Sequence, residues 1–121
     1  MAKRAIKALV KEAEHCDKVL LIDAPAFNIL LAKAIKKLYP NKEIIYYILP
    51  KVWAWKSSRI AVVERYTDVQ AYIFAFEKEF WKRGVFVGNP LMDEIKEKKN
   101  APTRSNITAF LPGSRKAEIV R

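Results

Sequence analysis

Cysteine, histidine and glycine are all scarce in this chain, which has 1 Cys, 1 His and 3 Gly among 121 residues, and each scarcity excludes something. The single Cys16 cannot close an internal disulfide, and no second Cys stands near it to form a metal knuckle, so a reducing, cytoplasmic compartment is the default. Without a His or Asp partner in a local signature, Cys16 reads as a buried thiol. His15, on the first amphipathic stretch, suits a surface or partly buried structural role better than catalysis. The aspartates Asp17, Asp23, Asp68 and Asp93 form no Asp-x-Asp pair, and no His/Cys cluster has metal spacing. The sequence therefore calls for no metal and no cofactor.

Long apolar runs are missing too. None approaches the ~18–20 residues that a membrane-spanning helix needs, because Asp23, Lys33 and Pro50 interrupt the candidates. The basic start Met1-Ala2-Lys3-Arg4 resembles a secretory signal only until Lys7, Lys11 and Glu12 break the apolar core that would follow. The expectation is a soluble protein, associated with a membrane at its surface at most.

What is present is a globular composition, 51% hydrophobic, with 23 Lys+Arg against 13 Asp+Glu for a formal charge of +10. Such an excess favours anionic partners: nucleic acid, nucleotide phosphates or an acidic membrane surface.

The apolar pattern alternates between two periods. Residues 2–15 place Ile6, Leu9, Val10 and Ala13 on one helical face. Val19 to Ile22 is a short branched run suited to a strand buried on both faces of a parallel sheet. A helix from Ala26 to Leu38 follows, stopped by Tyr39-Pro40-Asn41, and then a strand from Glu43 to Leu49. Ser57 or Ser58 opens a helix to about Tyr66. Val69 to Phe74 reads as a strand, Glu77 to Lys82 as a short helix, and Val85 to Val87 as a fourth strand. After Pro90 a polar stretch reads as a linker containing a short helix, and Asn106 to Leu111 restarts a strand. This is the alternation of an α/β protein built from βαβ units with a parallel sheet. The chain opens on a helix with no strand before it and closes inside another, which suggests a slice of a longer protein, truncated at both ends.

In open α/β sheets ligands bind beyond the carboxyl ends of the strands. Asp23 stands at the first such end, followed by Ala24-Pro25-Ala26-Phe27-Asn28, and a carboxylate there can act as general base on a hydroxyl. The alternative is that Asp23 or Asn28 caps the next helix. The second strand end carries Trp53 and Trp55 between Lys51 and Lys56, able to stack on a ring or sit at a lipid headgroup. Core packing is the other option for these tryptophans, and the expectation is one buried and one exposed. The third end, Leu111-Pro112-Gly113-Ser114-Arg115, outlines a diphosphate site: Gly113 permits close backbone approach, and Arg115 can grip an oxyanion bidentately. A plain turn before a capped helix remains open for these residues.

Five segments, in order, carry a resemblance. They are Ile22-Asp23-Ala24-Pro25-Ala26-Phe27-Asn28, Val52-Trp53-Ala54-Trp55-Lys56, Phe76-Glu77-Lys78, Phe86-Val87-Gly88-Asn89-Pro90-Leu91 and Leu111-Pro112-Gly113-Ser114-Arg115-Lys116-Ala117-Glu118-Ile119. Together they resemble the lipid-A-disaccharide synthase family over nearly the whole chain. The resemblance implies Rossmann-like units of a two-domain GT-B glycosyltransferase of bacterial lipid A synthesis. Residues 1–88 would belong to the N-terminal, acceptor-side domain, 89–105 to an interdomain linker, and 106–121 to the start of the nucleotide-sugar domain.

It implies transfer of 2,3-diacylglucosamine from its UDP donor to 2,3-diacylglucosamine 1-phosphate, forming a β-1,6 linkage with inversion and releasing UDP, at the cytoplasmic face of the inner membrane. Carried over by position, Asp23 is the base or acceptor-positioning group. Arg115 balances phosphate charge, and Gly113 and Ser114 shape its loop. Asn28, Trp53, Trp55 and Asn89 join them as substrate-binding candidates. The chain departs from the family pattern at Ala26 (usually Asp), Ala75 (usually Pro) and Asn89 (usually His). Lacking the N-terminal Gly-rich segment of the first domain and nearly all of the second, the 121 residues alone are expected to be inactive. The competing reading is a small basic α/β module for RNA or anionic lipid, but its lysines are spread over both halves of the chain and form no compact stripe.

Overall fold

The computed structural model describes residues 2–97, so Gly113, Ser114, Arg115 and the expected strand from Asn106 lie outside the described residues. Among the described residues four α-helices and four strands follow in the order α1 (Ala2–Glu12), β1 (Lys18–Ile22), α2 (Pro25–Leu38), β2 (Glu43–Tyr47), α3 (Arg59–Tyr66), β3 (Val69–Tyr72), β4 (Val85–Phe86) and α4 (Pro90–Glu97). The strands form one parallel sheet in the order β1-β2-β3-β4. Lys18 pairs with Glu43 in register, Ile45 with Val69, and Ala71 with Val85. This is the expected α/β architecture.

Strands that follow one another in both sequence and space, joined by right-handed crossovers, put their helices on the same face. The core lies on that face, where Leu21, Ile44 and Tyr46 meet Leu31 and Ile35 of α2 and Val63 of α3. The opposite face of β1 is open. Hence the expectation that the first strand is buried on both faces fails: Leu20 is 58% exposed and Ile22 51%. A continuous branched run records β-propensity, and propensity does not report which faces are covered.

Other departures are local. α1 tightens into a 3₁₀ turn, Ala13–His15, and leaves Cys16 exposed, its thiol 3.5 Å from the Glu12 carbonyl. The buried-thiol expectation is therefore wrong, because Cys16 sits in the connection to β1 and not on the packed face of α1. β2 stops two residues before the expected Leu49, since Ile48 turns into the left-handed region (φ 56°). The short helix expected at Glu77–Lys82 is a 3₁₀ turn at Ala75–Glu79, followed by Trp81, only 1% exposed and the largest fully buried side chain.

Two polar clusters tie the layers together, one at the surface and one buried. The Asp68 carboxylate accepts the Ile44 N–H at 2.7 Å and pairs with the Lys36 ammonium at 2.8 Å, joining β2, α2 and the approach to β3. Glu77, 1% exposed, accepts the Phe74 N–H at 3.1 Å and closes the turn after β3.

A candidate strand-end active site

Three chain reversals at the carboxyl edge of the sheet build the site. In the first, the Asp23 N–H still donates to the Tyr47 carbonyl at 3.0 Å, extending the β1–β2 ladder by one residue. The backbone then turns through two left-handed residues in succession, Asp23 (φ 46°) and Ala24 (φ 39°). Pro25 pre-sets the first helical position of α2, and the Ala24 carbonyl accepts the Phe27 and Asn28 N–H groups. Neither Asp23 nor Asn28 caps the helix: Ala24 occupies that position with no side-chain bond.

Non-glycine residues avoid this conformation, which costs about 1–2 kcal/mol per residue, so the turn must be held. The Asn28 amide, buried under the turn, donates to the carbonyls of Ile22 at 2.9 Å and Asp23 at 2.8 Å. The Tyr46 hydroxyl donates to the same Asp23 carbonyl at 2.8 Å. With its backbone fixed at both ends, Asp23 presents an exposed carboxylate beyond the end of β1.

The second reversal follows β2. Ile48 is left-handed, its N–H donating to Ala71 at 3.1 Å. A positive φ is unusual for any side chain and a true outlier for a β-branched one. Leu49, Pro50 and Val52 are buried, and the loop then emerges with both tryptophans outside, Trp53 43% and Trp55 59% exposed. The expected division, one in and one out, is thus corrected: Val52 is the side chain of this segment that enters the core, and both indoles stay outside. Trp53 packs edge-on against Phe76 at 5.3 Å. Over Trp55 lie the Lys56 ammonium at 4.6 Å and the Arg59 guanidinium at 5.2 Å from the ring centroid.

The third reversal follows β4. Val87 donates to Tyr72, Gly88 takes φ 81°, and Asn89 Oδ1 accepts the Leu91 N–H at 3.1 Å, which starts α4.

These reversals enclose a crevice of about 590 Å³, whose polar lining comes from Asp23, Lys51, Arg59 and Asn89, with Trp55 alongside. Apolar walls come from Ile48, Leu49, Ile73 and Phe74. Of the sequence candidates, Asp23, Trp55 and Asn89 are brought together, whereas Trp53 lies outside the crevice lining. Asn28 stands behind the turn with its amide nitrogen committed to the backbone. Arg59, Tyr46 and the strained Ile48 were missed. The only signal for Arg59 was its place four residues after Trp55, at the start of the helix that follows the loop.

Burial pushes the Tyr46 phenol well above its ordinary range, the Asp23 carboxylate adds to the rise and the Arg59 guanidinium opposes it. Tyr46 therefore stays a hydrogen-bond donor at neutral pH and senses two of the crevice's charged groups, Asp23 and Arg59. Among the described residues, no group of three His, Cys, Asp or Glu side chains could hold a metal ion, and no helix is long and apolar enough to cross a membrane. A carboxylate and a guanidinium on one strand-end crevice can respectively accept a proton from a hydroxyl and bind an oxyanion.

Comparison with known proteins points the same way. The family model described as lipid-A-disaccharide synthetase matches residues 1–121. A lipid-A-disaccharide synthase of Campylobacter jejuni is 47% identical over 131 aligned positions, covering 99% of this chain and 36% of the relative. One from Helicobacter pylori is 47% identical over 119, covering 98% of this chain and 33% of the relative. The chain thus spans about a third of the length of the curated relatives it matches. The match runs through every element that builds the crevice, the reading as an RNA or lipid module is not favoured, and the chain belongs to the lipid-A-disaccharide synthetase family.

Proposed function

We propose that this chain is the acceptor-side portion of an inverting glycosyltransferase that joins 2,3-diacylglucosamine, delivered as its UDP conjugate, to 2,3-diacylglucosamine 1-phosphate. Residues 1–88 supply the C-terminal part of the acceptor-side domain, 89–105 the link to the nucleotide-sugar domain, and 106–121 the first elements of that domain. Asp23 takes the proton from the attacking acceptor hydroxyl, or holds that hydroxyl in line, as the bond to the departing UDP breaks. Arg115, with Gly113 and Ser114 shaping its loop, balances charge on the donor diphosphate or on the acceptor phosphate. The enzyme works at the cytoplasmic surface of the inner membrane, where acylated substrates reside, and the excess of lysine and arginine favours anionic headgroups there.

The observation that carries this reading is the placement of Asp23: a carboxylate at a strand end, on a left-handed turn fixed by Asn28 and Tyr46. Strained backbone that the surrounding structure over-determines clusters at active sites. The test is a chimera in which this chain replaces the matching third of the Campylobacter jejuni relative, assayed for UDP release from the diacylglucosamine donor. The chimera should turn over and the isolated chain should not. Asp23→Asn should cut turnover by about 10²-fold or more, as expected for loss of a general base. Full activity of the Asp23→Asn chimera would refute the assignment.

A further inference from the structure

Arg59 is a cation without an acidic partner in the crevice that holds Asp23. The ion pairs among the described residues are Lys18–Glu43 and Lys36–Asp68, both remote from it. Arg59 is half-buried, its guanidinium lies 5.2 Å from the centre of the Trp55 ring, and Lys51 lines the same crevice. The crevice therefore offers two basic side chains, Lys51 and Arg59, against one carboxylate, Asp23.

An indole ring offers a guanidinium no hydrogen-bond acceptor, so an arginine held over it keeps its N–H donors available. Holding the side chain there before a ligand arrives lowers the entropy cost of binding. Cationic donors arranged in this way match an oxyanion, and the bidentate geometry of arginine matches phosphate in particular.

We propose that Arg59, backed by Trp55 and flanked by Lys51, is a phosphate-binding site for the phosphorylated sugar whose hydroxyl faces Asp23. The proposal rests on the glycosyl-transfer reading, because that reading places a sugar phosphate in this crevice. It divides the labour between the basic groups: Arg59 serves the phosphate on the Asp23 side, and Arg115 the other. A cavity of about 590 Å³ has room for a monosaccharide phosphate, with the sugar spanning from carboxylate to guanidinium.

The experiment uses the full 121-residue chain and three probes: glucosamine 1-phosphate, UDP and unphosphorylated glucosamine. Nuclear magnetic resonance follows the Trp55 indole N–H and the Arg59 Nε–H. Glucosamine 1-phosphate should shift both signals saturably, and glucosamine should shift neither. A response to glucosamine 1-phosphate and not to UDP supports the proposal; a response at the same two signals to UDP and not to glucosamine 1-phosphate assigns the site to the donor's diphosphate and overturns it. Arg59→Gln should weaken binding by about 10–100-fold, the range expected for losing a charge-assisted hydrogen bond. Arg59→Lys should recover part of that loss, because the charge returns without the fork.

Lys51→Gln, on the exposed rim, leaves the Trp55 stack intact and should weaken binding as well, so the result does not hang on one variant. Saturable binding unaffected by both Arg59→Gln and Lys51→Gln, or no response to either phosphorylated probe, overturns the proposal. Asp23→Asn separates this site from the general-base assignment. It removes a negative charge from the crevice, so phosphate binding should hold or tighten; a fully active Asp23→Asn chimera then refutes the base while the Arg59 result stands.

Discussion

Replacing Asn28 by Ala removes both hydrogen bonds that hold the Asp23 turn from below, those to the carbonyls of Ile22 and Asp23 at 2.9 and 2.8 Å. Each neutral bond contributes about 1 kcal/mol net, and a carbonyl left dry beneath the turn costs about 1 kcal/mol more, so the loss is about 2–3 kcal/mol. Tyr46→Phe removes one bond, to the same Asp23 carbonyl at 2.8 Å, and should cost about 1 kcal/mol. The two changes share an acceptor on a strained residue. Once Asn28 is gone the turn is free to leave its left-handed conformation, and the Tyr46 bond goes with it. The double variant should therefore lose less than the sum of the singles, with a coupling of about 0.5–1 kcal/mol. Urea unfolding followed by circular dichroism reads all four corners of this cycle. With a slope of about 1–2 kcal/mol per molar urea, Asn28→Ala moves the midpoint by more than about 1 M. Strict additivity, or an Asn28→Ala cost below about 0.5 kcal/mol, would show that the turn is not held in the way argued.

Three further predictions test other parts of the molecule. Ala24→Gly removes a left-handed methyl-bearing residue (φ 39°) from an exposed position and should be neutral or stabilising by up to about 1 kcal/mol, measured by the same titration. Gly84→Ala should destabilise by about 1–3 kcal/mol, because the new Cβ would sit 2.9 Å from Trp81 and from the Tyr72 ring; Gly88→Ala (φ 81°), whose Cβ meets nothing within 4 Å, should cost only about 1 kcal/mol of backbone strain, and thermal melts rank the two. Above pH 10 stability should fall. Tyr46 ionises at its ordinary 10.0 when unfolded, but burial keeps it protonated to higher pH in the fold, so the unfolded state releases its proton first. The stability is complete below pH 10 and is lost as pH rises through the folded value; Tyr46→Phe should flatten that alkaline limb.

The order of helices and strands was legible because the apolar period switches cleanly between Val10, Val19, Leu31 and Ile44, all of which pack in or against the core. Strand ends were less legible. β2 and β3 each stop short of the apolar run that marked them, since Ile48 and Phe74 remain apolar after the backbone has left the ladder. The Asp23 position could be read from its place after a strand, but its geometry could not. No glycine announces the left-handed pair Asp23–Ala24, and the support from Asn28 and Tyr46 crosses 5 and 23 residues of sequence. The tryptophans misled for a related reason: indole burial is set by tertiary packing that local sequence does not reveal, and the buried indole is Trp81, just after the 3₁₀ turn that follows β3.

The left-handed turn at Asp23 and Ala24 also bears on how the chain would evolve in the laboratory. Its strain is a standing reservoir that single substitutions to glycine can release, and the carboxylate is one of the two side chains that stand in the way. A library of this chain selected only for heat or protease resistance would therefore be drawn toward glycine at position 23. The variants that survive best would be the ones stripped of the proposed base, so any screen for a sturdier form must select for turnover in the same round.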